Sequence, residues 1–183
     1  NALTAQEIGV EVVPETTIDN RLFLAISSEA YPVTPGDIYR LTYQQADITV
    51  SGDLITESDL VLNLNVFGKI DAQNMTYYEL KREVERRVSE AYPRSVPSLT
   101  LVSTGIFRVL IKGEVTESQF FTAWGLSRLS DAVRGNLGPY SSTREIEIVA
   151  KNGRSKKYDL FKAQRLGDLN EDPYLEPGDT IVV

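Results

Sequence analysis

YPVTPGDIYRLTY, residues 31–43, sets a turn directly against a strand. Pro35 presets φ for the second position of a β-turn, and Gly36 supplies the positive φ that a type II turn needs at the third. Behind the turn, Ile38, Arg40 and Thr42 alternate with Tyr39, Leu41 and Tyr43, the period of a strand. The device returns near the other end of the chain. There Tyr174 precedes Pro177-Gly178-Asp179, and Thr180 to Val183 reads as a second strand. The bare tripeptide is equally consistent with two independent tight turns, so its flanks decide the reading.

Downstream of the first copy, Ile48-Thr49-Val50 reads as a strand, closed by a turn at Ser51-Gly52-Asp53. Leu60, Leu62, Leu64 and Val66 then fall on one face of an alternating stretch, with Asn63 and Asn65 on the other. Thr76 to Tyr92 is the clearest helix. Thr76 and Glu79 stand in capping-box register, and Tyr77, Leu80, Val84, Val88 and Ala91 recur at the spacing of one buried stripe. Pro93 ends it, and Pro97 leads into a strand over Ser98 to Val102.

A second unit begins near Gly105. Its expected parts are a strand from Phe107 to Val115 interrupted at Lys112-Gly113, a loop carrying Phe120, Phe121 and Trp124, and a short helix from Ser127 to Arg134. A strand from Arg144 to Ala150 follows, then an Asn152-Gly153 hairpin turn and a return strand from Lys156 to Leu160. Upstream, residues 1–30 read as an arm with one strand or helical turn. Val10, Val12 and Val13 precede Pro14 there, and Leu22, Phe23, Leu24 and Ile26 follow.

Composition narrows the chemistry. The chain is 42% hydrophobic and 25% charged, which suits a folded domain with a core. Nineteen basic and twenty-six acidic residues leave a formal net charge of −7, which disfavours nucleic acid and anionic membrane surfaces as partners. There is no histidine and no cysteine. Ser-His-Asp and Cys-His catalysis, Cys/His zinc sites, disulfides and thiolate-bound clusters are therefore excluded for these residues. No apolar run reaches the length of a membrane-spanning helix, and no P-loop or dinucleotide-binding glycine motif occurs. Twenty-six acids offer many carboxylate pairs for glycoside hydrolysis, and the sequence selects none. The expectation is a protein that is not an enzyme and needs no cofactor or metal.

The ordered pieces resemble the bacterial polysaccharide export family. Tyr31 to Thr42, Val66 to Ile70, Thr76 to Tyr92 and Pro97 to Val102 are similar to that family's polysaccharide export sequence domain. Val109 with Lys112-Gly113-Glu114-Val115, Leu129 to Val133, Ile146 to Gly153, Tyr158-Asp159-Leu160 and Leu175 to Val183 resemble a soluble-ligand-binding β-grasp domain. Thr116-Glu117-Ser118 stands where a Pro-Gly is usual, and Arg134 to Gly138 replaces an Ala-Gly-Gly.

The resemblance implies an α+β fold. An arm (1–30) would precede a mixed-sheet export domain with one long helix (31–103) and a β-grasp domain (104–183). It implies a periplasmic, outer-membrane-associated component of a capsular or exopolysaccharide export apparatus, assembled as a homo-oligomeric ring or stack around polysaccharide. Its implied partners are an inner-membrane polysaccharide co-polymerase and an outer-membrane pore, with no nucleic acid. The family's lipid-anchoring cysteine and its long C-terminal pore helix have no counterpart in these residues. The expectation is either a piece of a longer protein or a periplasmic member that works with another pore. The alternative is a monomeric β-grasp module that binds a soluble glycan or small ligand.

Within that frame Phe120, Phe121, Trp124 and Tyr140 are the candidate platform for sugar rings, since aromatic faces stack on the C–H faces of pyranoses. Arg134 and Arg144, with Arg128, are candidates to meet carboxylates of a glycan or a neighbouring subunit. Packing under the loop and ordinary solvation are the competing readings for these aromatic and arginine side chains. Asp168, Asn170 and Asp172 alternate like the start of a calcium loop. They lack its glycine and its later glutamate, and read better as a polar connector.

Overall fold

The structure is a computed structural model and describes residues 18–183. The reading of Val10, Val12 and Val13 falls outside the described residues. The chain is α+β. It opens with helix α1 (Ile18–Ser27), the helical alternative for the arm, which tucks Ala25 into the core and leaves Phe23 exposed. Strands β1 (Ile38–Gln45) and β2 (Ile48–Ile55) pair antiparallel along their whole length. Arg40 on β1 faces Asp53 on β2 in a two-pronged ion pair of 2.8 and 3.0 Å.

The stretch expected as one strand over 60–67 is broken. Strand β3 covers only Val61–Asn63, a 3-10 turn takes Asn65–Phe67, and β4 (Lys69–Asp71) returns against β3. Backbone geometry explains the break. Leu60 and Asn65 both sit at positive φ, +63° and +55°, which no strand accommodates. Val66, expected inward, is 80% exposed.

Helix α2 (Tyr77–Ala91) carries the expected capping box. The Glu79 N–H donates to the Thr76 hydroxyl, and the Thr76 N–H donates to the Glu79 carboxylate at 2.8 Å. Tyr77, Leu80, Val84 and Val88 are buried; Ala91, expected on the same stripe, is exposed in the last turn. Strand β5 (Ser98–Ser103) completes a three-stranded sheet in the order β2-β1-β5. The Tyr77 hydroxyl ties helix to sheet by donating to the Leu99 carbonyl at 3.1 Å. These residues form one core, bounded by Ala25 and Leu101.

A second core runs from Val109 to Ile181. Its five-stranded sheet is built from β6 (Phe107–Lys112), β7 (Gln119–Ala123), β8 (Ile146–Val149), β9 (Ser155–Tyr158) and β10 (Thr180–Val182). The order is β7-β6-β10-β8-β9, with β10 parallel to β6 and the other pairs antiparallel. Helix α3 (Leu129–Val133) buries Leu129, Ala132 and Val133.

Three expectations need correction here. The aromatic loop is a strand, β7, whose alternation sends Phe120 outward and Phe121 toward the core. The return strand expected through Leu160 stops at Tyr158. Asp159 then caps helix α4 (Leu160–Leu166), accepting from the Lys162 N–H at 3.2 Å, and Gly167 at φ +73° ends it. The hairpin after β8 is longer than two residues. The Gly153 N–H donates to the Ala150 carbonyl, the Ala150 N–H donates to the Arg154 carbonyl, and of Asn152 and Gly153 only the glycine has positive φ. That is the pattern of a type I turn with a glycine bulge.

The first core closes around one carboxylate. Asp37 is fully buried, and each of its oxygens takes one tyrosine hydroxyl and one backbone N–H. Oδ1 accepts from Tyr31 Oη at 2.8 Å and Gly105 N at 2.7 Å; Oδ2 accepts from Tyr39 Oη and Thr34 N, both at 2.8 Å. Burial raises the Asp37 pKa, and the four donors pull against that rise. Burial beside this carboxylate also raises the pKa of both tyrosines, so they stay hydroxyl donors. Gly105 must be glycine. A Cβ there would collide with the Pro35 carbonyl oxygen and come within 2.8 Å of the Asp37 nitrogen.

This geometry makes Asp37→Asn a severe change. Either orientation of the amide turns an NH2 against a backbone N–H, Thr34 or Gly105. We expect a loss of about 3 kcal/mol in denaturant unfolding, against about 1.5 kcal/mol for Tyr39→Phe, which removes one of four donors but sets no N–H against another. Equal losses for the two variants would refute the assignment of one backbone donor to each oxygen.

Candidate functional site

The second Pro-Gly-Asp turn repeats the first in its backbone. Asp37 N donates to the Thr34 carbonyl at 3.0 Å, and Asp179 N donates to the Glu176 carbonyl at 3.2 Å. Gly36 and Gly178 take φ of +84° and +93°. In both turns the aspartate reaches back to the residue three before it; Glu176 N donates to Asp179 Oδ2 at 2.8 Å, as Thr34 N does to Asp37. The tyrosines do not repeat. Tyr174 lies at the surface under the Arg128 guanidinium, 4.1 Å from its ring centroid.

The two turns meet across a cleft of about 490 Å3 between the two cores. Thr34 and Pro35 stand on one side, with Leu60, Gln73, Asn74 and Met75. Glu176, Pro177 and Asp179 stand on the other, with Phe107, Lys151 and Asn152. The positions of these groups follow from local rules. Asn74 holds φ +61°, a left-handed conformation that asparagine tolerates. The Lys151 stem lies across Gly178, where a Cβ would stand 3.1 Å from the lysine Cβ. Gly125 brings the second unit's backbone hard against the first, because a Cβ there would sit 2.7 Å from Thr34 Oγ1 and 2.8 Å from the Tyr31 ring.

The cleft mixes amides, carboxylates, one ammonium and apolar walls, so it can both donate and accept hydrogen bonds. Asp179 is its perturbed acid. Burial pushes its carboxyl up to about 6, opposed by the Glu176 N–H and helped by the Glu176 charge. Among the described residues no cluster of three His, Cys, Asp or Glu side chains is placed to hold a metal ion.

The residues singled out from sequence do not gather into one platform. Phe120 is 62% exposed on the outer face of β7, under the Arg108 guanidinium at 5.3 Å. Phe121 packs on the second core and Trp124 on the first, the latter 6.4 Å from the Tyr31 ring. Tyr140 is 85% exposed. Arg134 is exposed and pairs with Asp131 at 3.6 Å, while Arg144 stacks on Phe161 at 4.1 Å. Asp172 turns inward, accepting from Ser130 N at 2.8 Å and Ser130 Oγ at 2.7 Å, whereas Asp168 accepts from Asn170 N at 3.2 Å. The alternating acids thus serve separate local bonds. Sequence reasoning missed Gln73, Asn74, Lys151 and Asn152; the signal that leads to the cleft is the repeated turn.

Asp179 gives a pH prediction. Its folded pKa lies above its unfolded value, so the native state holds the proton more tightly. The stability it contributes is complete below about pH 4 and is lost as pH rises through about 6. Asp179→Asn should gain about 2–3 kcal/mol on the wild type between pH 4 and pH 7 in urea unfolding. A pH-independent difference would show that Asp179 titrates normally. No protein-family model matches this chain.

Proposed function

We propose that this chain is a periplasmic component of a capsular or exopolysaccharide export apparatus that assembles into a ring or stack guiding glycan to the outer membrane. The observation that carries the reading is the order of parts. A unit led by Tyr31 and Pro35-Gly36-Asp37 precedes a sheet ordered β7-β6-β10-β8-β9, with its central pair parallel and α3 following the second strand. That order resembles a β-grasp sheet, and the sequence motifs of the export family fall on these elements in series. Polysaccharide, an inner-membrane co-polymerase and an outer-membrane pore are the partners in this reading. No helix among the described residues is long and apolar enough to cross a membrane.

Sheet edges supply the means of assembly. Natural edge strands are commonly blunted by charge, lysine above all. β9 follows the rule with Lys156 and Lys157. β7 does not: Gln119 to Ala123 carries no charge, and Phe120 stands out from it. The uncharged β7 edge is thus the one open to a neighbouring subunit, and a contact repeated head to tail gives a ring where its rotation closes.

A second reading, a monomeric module that captures a soluble glycan, is favoured by the cleft. Light scattering across micromolar to near-millimolar protein separates the two. We expect a discrete multimer that Phe120→Lys returns to monomer with an unchanged melting temperature. A wild-type monomer at every concentration would move the assignment to the binding module.

A further inference from the structure

We infer that the cleft between the two cores is a binding site for an uncharged saccharide. In naming a glycan the inference rests on the export reading; the site itself rests on the cleft. Its volume, about 490 Å3, falls within the ~300–1,000 Å3 of small-ligand pockets.

The lining selects the ligand class. Gln73, Asn74 and Asn152 present amides, and among the described residues the Gln73 and Asn74 side chains make no hydrogen bond within the protein. An amide asks its partner for both a donor and an acceptor. A sugar hydroxyl is both; a phosphate, a carboxylate or an ammonium is one only. Asp59, Glu176 and Asp179 add acceptors for hydroxyl protons, and Lys151 adds a donor. Three carboxylates against one ammonium repel an acidic ligand. Phe107 and Pro177 offer apolar surface to the C–H face of a pyranose. The cleft therefore meets every requirement of a polyol with one hydrophobic face, and it meets those of an anion or a plain cation only in part.

The rigid walls sharpen the inference. The Gly125 backbone is pressed on Tyr31 and Thr34, and Gly105 is bonded to Asp37, so the two cores meet through backbone as well as side chains. A cleft framed in this way loses little freedom when it is filled.

The test is amide-resolved NMR on the whole chain, titrated with cellotetraose and N-acetylchitotetraose as neutral probes, a glucuronate oligomer as the acidic probe and a glucosamine oligomer as the cationic one. We expect the neutral probes to shift the Gln73 and Asn74 side-chain amides and the backbone of residues 150–152, and to bind at least about tenfold tighter than the acidic probe. Gln73→Ala and Asn74→Gly, the second chosen because glycine keeps the positive φ, should each weaken binding about fivefold. Preference for a charged probe, shifts lying elsewhere, unchanged affinity in both variants, or no shift up to ~10 mM would each overturn the inference. Light scattering on the same samples keeps the two claims apart. A multimer that ignores neutral sugars sinks the cleft alone, and a monomer that binds them in the cleft sinks the ring and keeps the site.

Discussion

A buried carboxylate with four donors holds the first half of this chain to the second. Asp37 costs free energy simply by being out of water. That cost is met only because two tyrosine hydroxyls and two backbone N–H groups arrive together. Three of them come from one short stretch, Tyr31 after α1, Thr34 in the turn and Tyr39 in β1, and the fourth, Gly105, comes from the crossing into the second core. Displacing any one of these donors leaves the buried carboxylate short of a hydrogen bond. The bond to Gly105 in particular fixes where the second core begins relative to the first.

The two Pro-Gly-Asp turns separate what a backbone motif dictates from what its surroundings do with it. Both aspartates bridge their own turn in the same way, and both precede a central strand of a sheet. Asp37 is then sealed by tyrosines and becomes structural. Asp179 keeps one bond from Glu176, faces a cleft and has its carboxyl pushed up to about 6. Identical local geometry thus yields a structural strut in one place and a titratable wall in the other, and the difference lies in the residues flanking the motif.

That contrast also marks how far the sequence could be read. Helix α2 was legible because cap, stripe and terminating Pro93 all agree. The 60–67 stretch was misread because alternation alone is blind to backbone sign. Leu60 and Asn65 at positive φ break a pattern that hydrophobicity leaves intact. Helix α4 was missed because it buries only Leu160 and so carries no stripe; its evidence is a cap at Asp159 and a stop at Gly167. Of the site, the turns were visible and the cleft was not. Gln73, Asn74 and Asn152 are ordinary loop residues until the fold brings their two loops together. Phe120, Phe121 and Trp124 do not share one face for a simple reason: a strand sends neighbours to opposite faces, and the chain then carries Trp124 on to the other core.

Glycine sets the last constraint on the cleft. At Gly105 and Gly125 the obstacle to a side chain is the body of the neighbouring unit, and at both positions it includes the Tyr31–Asp37 segment. The width of the cleft is thereby tied to the same network that pays for burying Asp37. A change that loosens the carboxylate cluster frees the Tyr31 ring, and the Tyr31 ring is what Gly125 rests on. Stability of the first core and shape of the cleft are therefore one property of this chain, because the same few atoms determine both.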